Sequence, residues 1–441
     1  MASIRKRGDS YTITILCGKD MDGKWIRKYF TFKPDPNLTP KKQEKEAYKY
    51  AEELEEKLNK GYSLEGEKTT FKEFSEIWFE NVASPHYEKS TLAKYKNYLN
   101  NKINPHIGAV VLTKIRPHTI EKLYKSLIEE GYTRNGKRYD YQYRTLKRIQ
   151  DILNSIFKYA QRLEIIERNP CDIIKTPRVG NTDEKVKFLT ADQVDILLTA
   201  LDKEYKFVFR EHDRVDDTGK PYHVKDYTET FRLPLQFITF YYVALYGGLR
   251  RGENISLTWE DIDFEKKTIS INKATAKSTG GQYLKAPKTK MSNRVIFVPD
   301  EVIRLLKKLK LEQNTYRMSI GDQWQETFDE SGKPLHFVYT QANGKQMYID
   351  TPGSRFTKLI ADYNKTVEKE EDKLPNVTLH ALRHTMATLL IGEGVEISTV
   401  SGRLGHADIT TTLDIYTHYL QEHDKTASNT LTKFMKKRET I

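Results

Sequence analysis

The chain has 441 residues, a formal net charge of +12 and two cysteines. That length predicts two or three domains, each with enough apolar material for its own core. Cys17 and Cys171 are too few for a disulfide framework or a zinc ligand set, no apolar run approaches the ~18 residues of a membrane span, and the N-terminus lacks the apolar core of a signal peptide, so the expected location is the reducing cytosol.

The positive charge is unevenly placed. Residues 1–66 carry an excess of +3, residues 67–178 of +8 and residues 179–441 of +1. Such a bias points to a polyanion gripped by the first two segments. Without further motifs, a lysine-rich solvated surface would read the same way.

Residues 1–66 predict a small sheet followed by a helix. Tyr11, Ile13 and Ile15 alternate with polar residues, Lys19 to Lys24 is turn chemistry, and Trp25 to Phe32 form a second strand-like run. Pro34, Pro36 and Pro40 break the chain, after which Ala47, Tyr50, Ala51, Leu54 and Leu58 recur at helical spacing. The strand region is basic, with Arg5, Lys6, Arg7, Lys24 and Arg27 as candidate contacts to nucleic acid.

Residues 67–178 read as mainly helical. Phe71, Phe74, Ile77 and Trp78 are expected on one face, and Leu146, Ile149, Leu153, Ile156, Phe157 and Ala160 on another. Between these faces lie two basic clusters. Lys94 belongs to the first; Arg144, Lys147 and Arg148 belong to the second, which is interleaved with tyrosines 132, 139, 141 and 143. Basic and aromatic side chains together suit phosphate and sugar contacts.

A stretch rich in Pro, Gly and polar residues follows, and residues 179–186 are assigned as a linker. From residue 187 onward the pattern is mixed. Phe237 to Tyr246 predicts an apolar helix stopped by Gly247-Gly248. Ile269 and Ile271 predict a strand that pairs with Arg294 to Val298 across a loop holding Lys285, Lys288 and Lys290. Val302, Leu305, Leu306 and Leu309 mark a helix, and Leu379 to Ile391 another, stopped near Gly392 or Gly394. Polar segments at about 205–231 and 316–335, with Thr-Gly-Lys and Ser-Gly-Lys turns, predict surface hairpins.

Three clusters carry chemistry: Gly247 to Glu253 around Arg250, His380 to His384 around Arg383, and the run from Leu404-Gly405-His406 to Tyr416-Thr417-His418. They offer arginines, imidazoles and a phenol, with no carboxylate or cysteine group suited to a metal. A guanidinium fork donates two parallel hydrogen bonds to phosphate oxygens and stays charged at any working pH. A tyrosine can hold a phosphate covalently. This set suits attack on a phosphodiester by a protein hydroxyl, which points to DNA strand exchange.

In this order and spacing, the clusters resemble the tyrosine recombinases, the family of phage and conjugative-transposon integrases. The resemblance implies a multidomain, mainly α chain with small β-sheets. Residues 1–66 would be an arm-type DNA-binding domain and 67–178 a helical core-binding domain. Residues 187–425 would be the α+β catalytic domain and 426–441 a C-terminal tail helix.

The resemblance also assigns roles. Tyr416 would be the nucleophile that forms a 3′-phosphotyrosyl bond, with Tyr419 the nearest competitor. Arg250 and Arg383 would clamp the non-bridging phosphate oxygens, His380 would assist proton transfer, and His406 would bond a phosphate oxygen. Lys288 would protonate the departing 5′-oxygen, with Lys285 and Lys290 as close alternatives. Glu253, His384 and His418 would support their neighbours. No cofactor or metal is implied. The implied partners are double-stranded DNA (element ends and target), a homotetramer assembled on it, and accessory excisionase and DNA-bending proteins. The tail would dock on a neighbouring protomer or pack in its own domain. A type IB topoisomerase shares the catalytic set but needs no arm-binding module, and an inactive DNA-binding scaffold would not keep every catalytic position filled.

Overall fold

A computed structural model describes residues 3–19, 24–59, 69–180, 187–209, 212–215, 220–225, 227–286, 293–405, 408–410 and 413. The chain is multidomain and mainly helical with small sheets. It divides into two compact units, Met1–Glu184 and Lys185–Ile441, and the division falls inside the stretch assigned as linker. No helix of the described residues is long and apolar enough to cross a membrane.

The first unit begins with an antiparallel sheet of β1 (Ser3–Arg7), β2 (Ser10–Lys19) and β3 (Trp25–Phe32), followed by helix α1 (Pro40–Asn59). Ile13 stands opposite Ile4 and Phe30 in register, so these three share one sheet face. That face packs on Ala51 and Leu54 of α1 in a small core with Ile15. Strand alternation sends the intervening residues to the other face. Arg5 lies opposite Thr12, which lies opposite Thr31, and Arg27 lies opposite Leu16. Arg5, Arg7 and Arg27 are exposed there, while Lys6 falls on the helix side with its ammonium 5.8 Å from the Tyr11 ring.

A separate core builds the helical part. Helix α2 (Phe71–Trp78) starts at a Thr70–Glu73 capping box and buries Phe71, Phe74, Ser75 and Trp78. Ile77, expected on this face, is 41% exposed: the buried stripe runs through 71, 74, 75 and 78, and 77 lies beyond its edge. Helices α3 (Lys89–Tyr98), α4 (Pro117–Glu130) and α5 (Tyr143–Arg162) complete the bundle, with a two-stranded ribbon of β4 (Tyr132–Arg134) and β5 (Lys137–Tyr139) between the last two. Gln150, buried on α5, accepts from the Tyr124 hydroxyl and donates 3.2 Å bonds to the Cys171 and Ile174 carbonyls, which ties down the segment after α5. The tie reaches Val179, whose carbonyl accepts from the Tyr143 amide at 3.0 Å. Lys94, Arg144, Lys147 and Arg148 are all exposed.

In the second unit, α6 (Ala191–Asp202) is followed by two nested antiparallel pairs, β6 (Glu204–Phe209) with β9 (Tyr227–Arg232) and, inside them, β7 (His212–Val215) with β8 (Pro221–Val224). This is the first expected hairpin. The second is helical only in its first part: α9 (Asp300–Ile320) runs through its start. Residues 327–335 do form a short hairpin: Phe328 bridges Pro334, the Leu335 amide donates to the Thr327 carbonyl at 2.8 Å and the Asp329 amide to the Lys333 carbonyl at 2.9 Å, around a turn where the Asp329 carboxylate accepts from the amides of Ser331 and Lys333.

Helix α7 (Leu235–Gly247) is buried on nearly every side, as its uniformly apolar sequence requires. A three-stranded sheet of β10 (Ile262–Asp263), β11 (Thr268–Ile271) and β14 (Arg294–Phe297) packs in the same core. Strands β11 and β14 pair as expected, but the connection is not a plain loop. It contains a second hairpin of β12 (Ala274–Ser278) and β13 (Gly281–Lys285), with Lys285 opposite Ala274. Helices α8 (Arg251–Ile255), α10 (Thr351–Lys365), α11 (His380–Gly392) and α12 (Ile397–Leu404) complete the described part of the unit.

Candidate active site

Two sharp chain reversals make the site. Helix α7 ends at Gly248, which is left-handed at φ 65, and a side chain there would overlap the Met386 methyl on α11. Two residues later Arg250 is the N-cap of α8. Its amide bonds Glu253 Oε2 at 2.9 Å, and the Thr-free cap is completed by the arginine's own Nη1, 2.7 Å from Oε1. Its Nη2 donates to the Gly405 carbonyl at 3.2 Å. Neighbouring Arg251 turns elsewhere, to Asp350 at 3.0 Å, so the two adjacent arginines have different partners.

Arg383, one turn into α11, is 3% exposed and donates to the Gly248 carbonyl and the Leu404 carbonyl, both at 2.6 Å. The two guanidinium groups therefore converge on one piece of backbone, residues 404 and 405, directly before His406. Gly405 is also left-handed, at φ 65, and a β-carbon there would lie 2.7 Å from Arg294 Nη1. Close approach is what the Leu-Gly-His motif requires of its glycine.

Arg294, at the start of β14, is a strand residue by its sequence pattern and part of the site by its contacts. It donates to Glu253 Oε2 at 2.8 Å and to the Arg403 carbonyl at 2.8 Å. Arg403 in turn donates to the Tyr246 and Phe297 carbonyls at 2.6 and 2.9 Å. No motif signals either role, because each partner is far away in the chain. Burial pushes the Glu253 carboxyl up, but hydrogen bonding and charge from Arg294, then from Arg250, outweigh it and hold the group below the usual range. It stays a carboxylate.

His380 opens α11 with its ring edge-on to His384, centroids 4.7 Å apart. One side of His380 reaches solvent. Packing around the rest of the ring, then the charges of Arg383 and Arg250, lower its pKa below the ordinary imidazole value, so it is neutral at pH 7. A neutral imidazole can accept a proton, and fixed guanidinium groups can hold an oxyanion. Thr385 braces the helix by accepting from the Leu189 amide at 2.9 Å.

Arg250, Glu253, His380, Arg383 and His384 thus come together within the second unit, joined by Arg294 and Arg403. Lys285 sits at the end of β13, half-exposed. Lys288, Lys290, His406, Tyr416, His418 and the whole tail lie outside the described residues. Among the described residues, no group of His, Cys, Asp or Glu could hold a metal ion.

Comparison with known proteins adds to this geometry. Residues 224–423 match the phage integrase family, and residues 70–128 match the phage integrase N-terminal SAM-like domain. The chain is 27% identical over 438 residues to a XerC-like tyrosine recombinase of Caldanaerobacter subterraneus subsp. tengcongensis, covering 97% of both chains. It is 28% identical to the ICEBs1 integrase of Bacillus subtilis over 87% of this chain and 89% of that one. Among solved structures, the Tn1549 transposon integrase in complex with transposon right end DNA superposes with a TM-score of 0.61 at 20% identity, over 80% of this chain and 99% of that one. A lambda integrase tetramer bound to a Holliday junction gives 0.50 at 15% identity, over 92% and 96%. The chain belongs to the tyrosine recombinases of the phage integrase family.

Proposed function

We propose that this recombinase cuts and rejoins DNA at the ends of a mobile element through a 3′-phosphotyrosyl intermediate on Tyr416. The observation that carries the reading is the convergence of Arg250 and Arg383 on the backbone before His406, with His380 at the start of the helix that carries Arg383. In the reaction, the Tyr416 oxygen attacks phosphorus and the bond to the 5′-oxygen breaks. Lys288, or Lys285 or Lys290 in its place, gives that oxygen a proton. Negative charge grows on the two non-bridging oxygens, where Arg250 and Arg383 donate. His380 takes up the phenol proton and His406 bonds a phosphate oxygen. Rejoining reverses these steps with a new 5′-hydroxyl, so the phosphodiester energy is kept and no cofactor enters.

Four protomers on two duplexes follow from one cut per active site. This arrangement is supported by the fold shared with the lambda integrase tetramer. The basic open face of the N-terminal sheet fits binding to arm-type sites, and Lys94, Arg144, Lys147 and Arg148 fit binding to the core site. Excisionase and DNA-bending proteins would act on the assembled complex, in the cytoplasm at the nucleoid. The test is a suicide substrate carrying the element's ends: a covalent adduct should form and map by peptide sequencing to Tyr416. An adduct on another residue, or none on any element end, would overturn the reading.

A further inference from the structure

The ribbon of β4 and β5 in the helical unit has features that packing alone does not require. Its strands pair Tyr132 with Tyr139, Thr133 with Arg138 and Arg134 with Lys137. Asn135 and Gly136 are both left-handed, at φ 50 and 73, which is the two-residue type I′ turn that matches strand twist. An isolated two-stranded ribbon is marginal in water. This one is fixed at its base by three devices.

The Tyr132 and Tyr139 rings stack at 5.5 Å and 23°. Arg138 folds back to donate to the Glu129 and Glu130 carbonyls at the end of α4, at 2.6 and 3.1 Å. Lys102, in the π-helical turn Leu99–Ile103, places its ammonium 4.2 Å from the Tyr141 ring centroid, 5.5 Å from that of Tyr132 and 5.8 Å from that of Tyr98. It also donates to the Tyr141 hydroxyl at 3.1 Å. Three aromatic faces hold one cation.

Two of the local cations are thus used to hold the ribbon still. Arg134 and Lys137 pair in register on either side of the turn, and a side chain added at Gly136 would meet nothing within 4 Å. Residues 132–139 contain three basic residues and no acid, and the next acid, Asp140, lies 3.6 Å from Arg138. The chain then enters α5, where Arg144, Lys147 and Arg148 are exposed. A stiff cationic tip followed by a cationic helix start is complementary to a polyanion backbone.

We propose that the ribbon Tyr132–Tyr139 is a DNA-backbone contact, with Arg134 and Lys137 on phosphates and Lys102 as a positioning residue that holds the ribbon in its binding pose. This rests on the reading that the chain acts on DNA. The experiment is a salt titration of full-length protein on a fluorescein-labelled mixed-sequence duplex, followed by anisotropy. Each lost phosphate contact lowers the slope of log K against log salt by about 0.9, so Arg134→Ala with Lys137→Ala should lower it by roughly 2 and weaken binding roughly ten- to a hundredfold at ~0.1 M salt.

Lys102→Met should weaken binding as well, but add little to the tip double variant, because both changes remove the same contacts. Lys102→Arg, which keeps a cation in the cage, should restore much of the loss. An unchanged slope and affinity in the tip variant, beside a wild type that binds, overturns the ribbon proposal and leaves the DNA reading intact. A wild type that binds no duplex defeats the DNA reading itself. Normal binding by single protomers with impaired assembly would place the tip on a neighbouring protomer, which also overturns the proposal. Should Lys102→Met fail to fold, as judged by circular dichroism, the tip variant decides the question alone.

Discussion

Arg294 and Glu253 meet at 2.8 Å, with each side chain 7% exposed. Glu253 also takes both the amide and the guanidinium of Arg250, so one carboxylate fixes a catalytic arginine and is itself fixed from β14. Removing one partner of such a buried pair typically costs about 3–5 kcal/mol, because the remaining charge is left uncompensated. Arg294→Ala should therefore lower the urea midpoint clearly. Arg294→Lys should fold better yet still cut poorly, roughly 100-fold down, because the fork that orients Glu253 is gone. Full cleavage by a folded Arg294→Lys protein would show that Arg250 needs no such support.

The same carboxylate makes a pH prediction. Its folded pKa is depressed, so its stabilisation is present above the unfolded value of 4.5 and is lost as pH falls through the lower folded value. Glu253→Gln should flatten the acid end of the stability curve measured by chemical denaturation. A curve that keeps the wild-type slope there would assign acid sensitivity to other groups.

For His380 the sign is opposite in origin. Its depressed pKa means the folded protein resists protonation, so it loses stability as pH falls below about 6.5, with no contribution above that. In DNA-free protein the His380 ring should titrate below 6.5 by NMR, and the acid limb of kcat/KM should lie below 6.5 too. A ring midpoint above 6.5 would mean that Arg383 and Arg250 do not act on it as their positions imply.

Tyr416→Phe should bind DNA with near-wild-type affinity and form no covalent adduct, since only the phenol oxygen is removed. Arg250→Lys and Arg383→Lys should each slow cleavage on the order of 100- to 1,000-fold despite keeping charge. A covalent band that persists in Tyr416→Phe would move attention to Tyr419.

Deleting residues 1–66 should leave cleavage of a preloaded core site largely intact and weaken assembly on full-length ends. Arg5→Ala with Arg27→Ala should do the same with the fold kept, because both residues lie on the sheet face away from α1. In the tail, Leu431, Phe434 and Met435 fall at i, i+3 and i+4, an apolar stripe suited to docking on a neighbouring protomer, so Leu431→Ala with Phe434→Ala should impair tetramer formation while core-site binding persists. Normal synaptic complexes from either variant, seen by native gel, would remove that role from its segment.

Strand alternation in β2, the stripe of α5, the apolar α7 and the glycine stops were legible in the sequence because each is set by neighbours within a few residues. The three motif clusters were legible too, since their chemistry depends on residue type and order. Other features were not. Ile77 faces solvent because the α2 stripe is set by where α5 lies. The β12–β13 hairpin was hidden inside a segment read as one loop. Arg294 joins Glu253 across 41 residues, and Arg383 reaches the Gly248 carbonyl across 135. Lys102 reads as one more surface lysine until Tyr98, Tyr132 and Tyr141 surround it. Local backbone preference and residue chemistry are properties of short windows of chain. Which charge meets which carboxylate, carbonyl or ring is decided only when packing brings distant segments within hydrogen-bonding reach.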